Sequence, residues 1–254
     1  MRTLPCTMIL VAFLAAPAAS APIAVRLPEG PAHGFLTLSE EGTAAPIAYG
    51  ELLQWLDGRN VASELVFRFR DGSLYDQTIM FSQRPSFRVL RFRLVQQGPR
   101  FPEQADSRFD GSGAWEATVR KEGSEDQHAS GRTTIPADVV NGLTTVIPKN
   151  LAPHGVAHAH MLNFRPKPVL LDVEFRPDGT DRYRIGRQEG TATRYLVVPR
   201  VSGVKGAVAS VVGKQPTPLK IWIANGKAPV LVRFEGALFL DGPEWRIELT
   251  GPQW

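Results

Sequence analysis

The sequence predicts an all-β, mainly antiparallel protein: a curved or barrel-like sheet with one helix packed on or in it. Three observations predict this. Apolar and polar residues alternate along many short runs, the period-two signature of strands with one buried face. Between the runs stand Asp57-Gly58, Asp71-Gly72, Asp178-Gly179, Asn225-Gly226 and Asp241-Gly242, pairs that favour tight turns. The 21 prolines and 23 glycines are spread along the chain without a period, as suits many short elements.

Residues 1–20 read as a signal peptide. Arg2 gives a basic start, residues 8–16 (MILVAFLAA) form an apolar run of signal length, and the small residues of PAASA follow. Cleavage after Ala18, Ser20 or Ala21 fits a small-x-small pattern, with Pro22 disfavouring the last. The run is too short for a transmembrane span, which takes around 20 apolar residues. An exported protein is expected, periplasmic or otherwise extracellular. The one cysteine, Cys6, lies in the leader, so the mature chain is expected to carry no disulfide. A mature chain of about 235 residues can bury roughly 70% of its unfolded surface and needs no such staple.

The elements follow in order within one β-rich domain, 21–254. It can also be read as two paired β halves, 21–134 and 155–254, joined by a helix over 136–147. Strands are predicted at 34–38 and 47–56. The clearest structure is ELVFRFRDGSLYDQTIMF, residues 64–81, where Leu65, Phe67 and Phe69 alternate with Val66, Arg68 and Arg70. A two-residue loop at Asp71-Gly72 would pair Phe67 with Asp76 and bury a carboxylate among aromatics. A three-residue loop, with Gly72 left-handed, pairs Phe67 with Tyr75 and keeps Ile79 and Phe81 on the same face. Burying an unpaired charge is the costlier choice, so the three-residue loop is predicted. Further strands are predicted at 86–97, 115–121, 127–134, 156–164, 169–176, 182–187, 191–198, 219–224, 230–235 and 245–249.

In TTIPADVVNGLTTVIPKNL, Thr134 can cap a helix, Pro136 suits its first turn and Pro148 ends it. Ile135, Val139, Leu143 and Ile147 then form an apolar stripe facing the sheet. SGVKGAVASVVGKQPTP, residues 202–218, is apolar and glycine-rich without alternation, and reads as a short helix, a flap or a core loop.

HGVAHAHMLNF, residues 154–164, holds three of the five histidines. On a strand His158 and His160 share a face, with His154 just before them. A zinc or iron site wants three or four ligands, usually including a carboxylate or thiolate. No Asp or Glu lies between Asp138 and Asp172, so a strand face, and no metal, is the expectation. A metal-assisted hydrolase around His154, His158 and His160 is the alternative. Other catalytic patterns fail. DGSGA lacks the spacing of a nucleophile elbow. Ser124, Asp126 and His128 are neighbours on a polar loop. SVVGKQ lacks the first glycine and the hydroxyl of a phosphate loop.

Arg84, Arg88, Arg91, Arg93 and Arg100 interleave with aromatics as in single-strand binders. Strict alternation puts Arg88 on the opposite face from Arg91 and Arg93, so a solvated sheet face and no single patch is predicted, with an anionic lipid or glycan ligand as the alternative. The net charge of +4 is modest, and export removes nucleic acid from the expected partners. An outer-membrane barrel is excluded by charges on both faces of several strands, at about 2–4 kcal/mol for each Arg or Lys near the bilayer midplane.

The C-terminal half, with DRYRIGRQEGTATRYLVVP, LKIWIANGKAPVLVRFEG and EWRIELTG, resembles a domain-of-unknown-function family of Gram-negative periplasmic proteins. The resemblance covers about residues 155–250 and implies a β-rich, partly barrel-like fold. It also implies an architecture similar to the periplasmic lipoprotein carriers, whose curved sheet and helix enclose an apolar cavity. Trp222, Pro229 and Trp245 are the positions it maps, as structural residues, and it carries no catalytic residue or cofactor.

The functional expectation is a non-enzymatic envelope protein that binds an apolar or amphiphilic ligand such as a lipid, with no cofactor. Lys214 and Gln215 would meet a headgroup at the rim, and Trp222 would form part of the wall. A structural or partner-binding envelope component without a cavity is the remaining alternative.

Overall fold

The computed structural model describes residues 22–201 and 216–253. Fourteen strands account for most of them: β1 (Ala32–Glu40), β2 (Pro46–Asp57), β3 (Asn60–Phe69), β4 (Leu74–Gln83), β5 (Phe87–Gln97), β6 (Glu103–Asp110) and β7 (Ala114–Lys121). After β8 (Gln127–Arg132) and a one-turn helix, α1 (Ile147–Asn150), come β9 (Ala157–Phe164), β10 (Pro168–Ile185) and β11 (Gln188–Val201). Beyond the undescribed segment lie β12 (Leu219–Ala224), β13 (Leu231–Gly236) and β14 (Trp245–Gln253).

All fourteen form one sheet in the order β8-β7-β6-β5-β4-β3-β2-β1-β14-β13-β12-β11-β10-β9. Every neighbour pair is antiparallel and adjacent in sequence except one. The first and last strands meet in the middle of the sheet, Leu36 opposite Leu249 and Leu38 opposite Ile247. The sheet rolls without closing. Phe164 of β9 comes against Phe109 of β6 and Trp115 of β7, with ring centroids 6.3 and 5.9 Å apart. The all-β, barrel-like fold predicted from alternation is the fold observed.

The hairpin of β3 and β4 has the predicted register. Phe67 faces Tyr75, Gly72 has φ 85°, and the Phe69 amide donates to the Ser73 carbonyl at 2.9 Å across a three-residue loop. Phe67, Phe69, Tyr75, Ile79 and Phe81 are buried, whereas Arg68 and Arg70 are exposed. The Asp71 carboxylate, free of any aromatic face, accepts from the Ser73 amide and from Arg100.

Four expectations are corrected. First, residues 136–147 are not a helix. Val139 forms a parallel bridge with His160, and successive i to i+3 turns follow: Val139 to Pro136, Leu143 to Val140 and Val146 to Leu143. The spacing of Val139, Leu143 and Ile147 does bury all three, because a chain of turns can return a side chain inward as regularly as a helix does. The helix of this stretch is α1 alone, and Pro148 sits in its first turn instead of ending a longer one. Second, Asp178-Gly179 does not divide two strands. β10 runs through it for 18 residues, taking up the pair as an irregularity between Pro177 and Gly179. Third, β6 was not foreseen. Its inward residues Ala105, Ser107 and Phe109 include two small or polar side chains, which erases the apolar alternation.

Fourth, the arginines of β5 share one face. Met80 pairs with Arg91 while Phe81 pairs with Val89, leaving Leu90 as an extra residue in the strand. The bulge resets the alternation, so Arg88, Arg91 and Arg93 are all exposed while Val89 and Phe92 are buried.

The turn segment 138–150 fills the concave side of the sheet. Val139, Val140, Leu143, Val146 and Ile147 join one apolar core with Leu38, Phe67, Phe81, Phe175, Ile221 and Trp245. It also covers the β9 edge. The Val140 amide donates to the His160 carbonyl at 2.8 Å, and Asn141 takes up both backbone groups of Leu162.

Candidate functional site

Between this plug and the inner faces of β1–β4, β13 and β14 lies a cavity of about 390 Å³. That falls in the size range of small-molecule pockets. Strand alternation sends Leu36, Leu52, Leu65, Phe67, Ile247 and Leu249 into it. The 27–31 segment, the plug residues Gly142, Thr144, Thr145, Val146 and Lys149, and residues 227–230 between β12 and β13 complete the wall.

The polar groups of the wall are concentrated near the end where β1 begins. Lys149 Nζ lies 2.8 Å from Glu29 Oε1, with side chains only 14% and 10% exposed. Gln54, buried on β2, donates to Glu29 Oε2 at 3.2 Å and to the Gly30 carbonyl at 2.7 Å. Gln83 secures the Glu29 backbone from the other side, accepting from its amide and donating to its carbonyl. Asn150 accepts from the Arg26 and Leu27 amides, both at 2.8 Å. Backbone groups of Arg26, Leu27, Glu29 and Gly30 in this irregular segment are thus satisfied by side chains in place of a sheet partner. Sequence reasoning missed Glu29 and Lys149, which lie 120 residues apart. The only local sign was a proline- and glycine-bracketed acid, Pro28-Glu29-Gly30-Pro31, ahead of a strand.

Deeper in, Tyr75 donates to Gln77 Oε1 at 3.2 Å. Burial pushes the Tyr75 phenol far above its ordinary range, so it is a neutral donor at any physiological pH. Because the folded pKa is raised, its stability contribution is full below the unfolded value of about 10 and is lost as pH rises above it. Tyr75→Phe is therefore expected to lose less stability than the wild type between pH 8 and alkaline pH, read from urea midpoints. Equal alkaline losses in the two proteins would assign the effect to other groups.

The residues singled out from sequence fall elsewhere. Lys214 and Gln215 lie outside the described residues. Trp222 is not part of this wall. On β12 Ile221 and Ile223 face the main core, and the side chain between them faces the other way, packed with Ala192, Ala224 and Val232. Its indole N–H donates to Asp181 Oδ2 at 2.7 Å, and Arg233 lies over its ring at 5.4 Å. Trp245 is fully buried among Phe69, Phe101 and Phe239.

The histidines do not converge. His154 stands in the connection before β9 at φ 61°, while His158 is opposite Glu174 and His160 opposite Asp172. Among the described residues, no group of three or more His, Cys, Asp and Glu side chains is arranged to hold a metal ion. His160 Nδ1 instead meets both carboxylate oxygens of the buried Asp138 at 2.8 Å, fastening the plug to β9.

Among solved structures, the chain is similar to the β-barrel-like protein of the domain of unknown function DUF1849 from Brucella abortus. The match has 8% identity and a TM-score of 0.39, and covers 92% of this chain and 99% of that one. An overlap of that size assigns neither family nor function. No protein-family model matches the chain, and no curated protein matches it. Among the described residues, no helix is long and apolar enough to cross a membrane.

Proposed function

We propose that this is an exported, non-enzymatic envelope protein that binds an amphiphile in the cavity, tail inward and headgroup at the Glu29–Gln54–Lys149 end. The observation that carries the reading is the polarity gradient of the wall. Leu36, Leu65, Phe67, Ile247 and Leu249 line the interior, and an ion pair sits where β1 begins. Apolar walls reward an alkyl chain at about 0.8 kcal/mol for each buried methylene, while a few placed polar groups fix its orientation. The polar side chains are spent on one another, Lys149 on Glu29 and Tyr75 on Gln77, which suits retention of a ligand more than turnover. Export rests on the basic start and apolar run of residues 1–20.

The test uses a fluorescent fatty acid as probe, together with native mass spectrometry of protein purified from its host. Ser63 is buried on β3 and faces the cavity, so Ser63→Trp fills the space. It is expected to weaken probe binding roughly tenfold or more, since an indole would exclude several methylenes. Trp222→Phe, on the other face of the sheet, is expected to leave binding unchanged. A wild type that binds no probe and carries no lipid would remove the proposal.

A further inference from the structure

We infer that the sheet end beside the cavity mouth is a docking surface for an anionic lipid bilayer. Of the seven large apolar side chains left exposed among the described residues, four gather at one place. Leu27, Leu53, Trp55 and Leu56 are 38%, 41%, 40% and 52% exposed, and all lie at one end of the sheet. Leu53 pairs with His33 and Gln54 with Ala32, so the last residues of β2 stand beside the start of β1, where the cavity opens. Leu27 belongs to both, lining the cavity and facing solvent. An exposed Trp with aliphatic neighbours is the side-chain set that settles at the level of lipid headgroups.

Arginine predominates among the charges at the same end. The β2–β3 turn presents Arg59 and the β4–β5 connection Arg84, both exposed. Val61 pairs with Phe81 and Gln83 with Phe87, so turn and connection lie at the same sheet end. Arg88 follows on β5, and Arg26 is brought alongside by the bridge of Ala24 with Ser86. None of these four guanidinium groups has a salt bridge among the described residues. On the same turns and connections the acid is Asp57, and Glu29 is already neutralised by Lys149. Four free cations around an apolar rim complement an anionic membrane surface. The amphiphile reading gives this surface a purpose, transfer between bilayer and cavity, and the docking claim rests on that reading in no other way.

The experiment is co-sedimentation of the full mature chain with vesicles of phosphatidylcholine alone or with added phosphatidylglycerol. The wild type is expected to bind the mixed vesicles, and added salt to release it. Trp55→Ser with Leu56→Ser, and separately Arg59→Glu with Arg84→Glu, should each weaken binding roughly fivefold or more. Tyr49 is the control. It is also exposed and on β2, but six residues from Trp55, about 20 Å along the strand. Tyr49→Ser should bind as the wild type does, and circular dichroism melts should show every variant folded. The inference is overturned by no binding to mixed vesicles, by arginine variants that bind normally, or by a Trp55-dependent dimer without vesicle binding. Probe binding in the cavity is measured on the same variants. Vesicle binding lost with the probe retained is the docking result, whereas a wild type that docks but takes no probe would sink the carrier reading alone.

Discussion

Phe67→Ala is expected to destabilise the protein by about 3–5 kcal/mol, while Arg68→Ala changes almost nothing. Phe67 is fully buried near the hairpin end of β3, opposite Gly50 on β2 and Tyr75 on β4. Its ring meets Tyr75 edge-on at 6.3 Å between centroids, adding an aromatic contact to the area it buries. On the other side it lies directly over Gly50, where a Cβ would come within 2.3 Å of the ring. The backbone of β2 has thus given up a side chain to seat this one. Alanine would leave a void continuous with the cavity that Phe67 already lines, so neighbours cannot close it by a small shift. Arg68, one residue on, points to solvent and has no such partners. Urea titration of the two variants decides the matter; comparable losses would mean the facing of β3 is wrong.

The same hairpin shows why so much of the fold was legible. Its register follows from one local choice, whether a carboxylate or a phenol faces the aromatics, and a buried charge is too costly to win. Local rules failed where two structures satisfy the same pattern. Val139, Leu143 and Ile147 can be buried by a helix or by consecutive turns. The turns prevail because the Asp138 carbonyl and the Val140 amide are spent on the backbone of His160 at the β9 edge. Period-two reading of β5 failed at Leu90 because a bulge leaves no mark in composition. The cavity was foreseen only as a possibility of the fold class. Its polar end joins Glu29 before β1 to Lys149 in α1, a pairing that only tertiary structure creates. Trp222, an indole between two core-facing isoleucines, was read as a wall residue. One step of alternation places it on the other face.

Asn141→Leu is expected to cost about 2–5 kcal/mol and to free the plug from the sheet. Asn141 is buried, and its amide reproduces a strand partner for β9: Nδ2 donates to the Leu162 carbonyl and Oδ1 accepts from the Leu162 amide, both at 2.8 Å. Leucine has similar volume but leaves both backbone groups buried and unmatched, at about 1–3 kcal/mol each. β9 is the last strand at its end of the sheet, so its outer edge has no further strand to turn to. The damage should therefore extend beyond one residue. The plug carries Gly142, Thr144, Thr145, Val146 and Lys149 of the cavity wall. Detached at Asn141, it would be held to β9 mainly by the Val140 and His160 backbone bonds and by His160 against Asp138. Hydrogen exchange should accelerate at the Leu162 amide and across the plug before it does in β2–β4, and probe binding in the cavity should weaken with it. Asn141→Asp keeps the acceptor for the Leu162 amide and loses only the donor, so it should fall between leucine and the wild type if burial leaves the acid neutral, and below leucine if it stays charged. An Asn141→Leu protein with wild-type exchange at Leu162 would show that the plug is held by its apolar side chains alone.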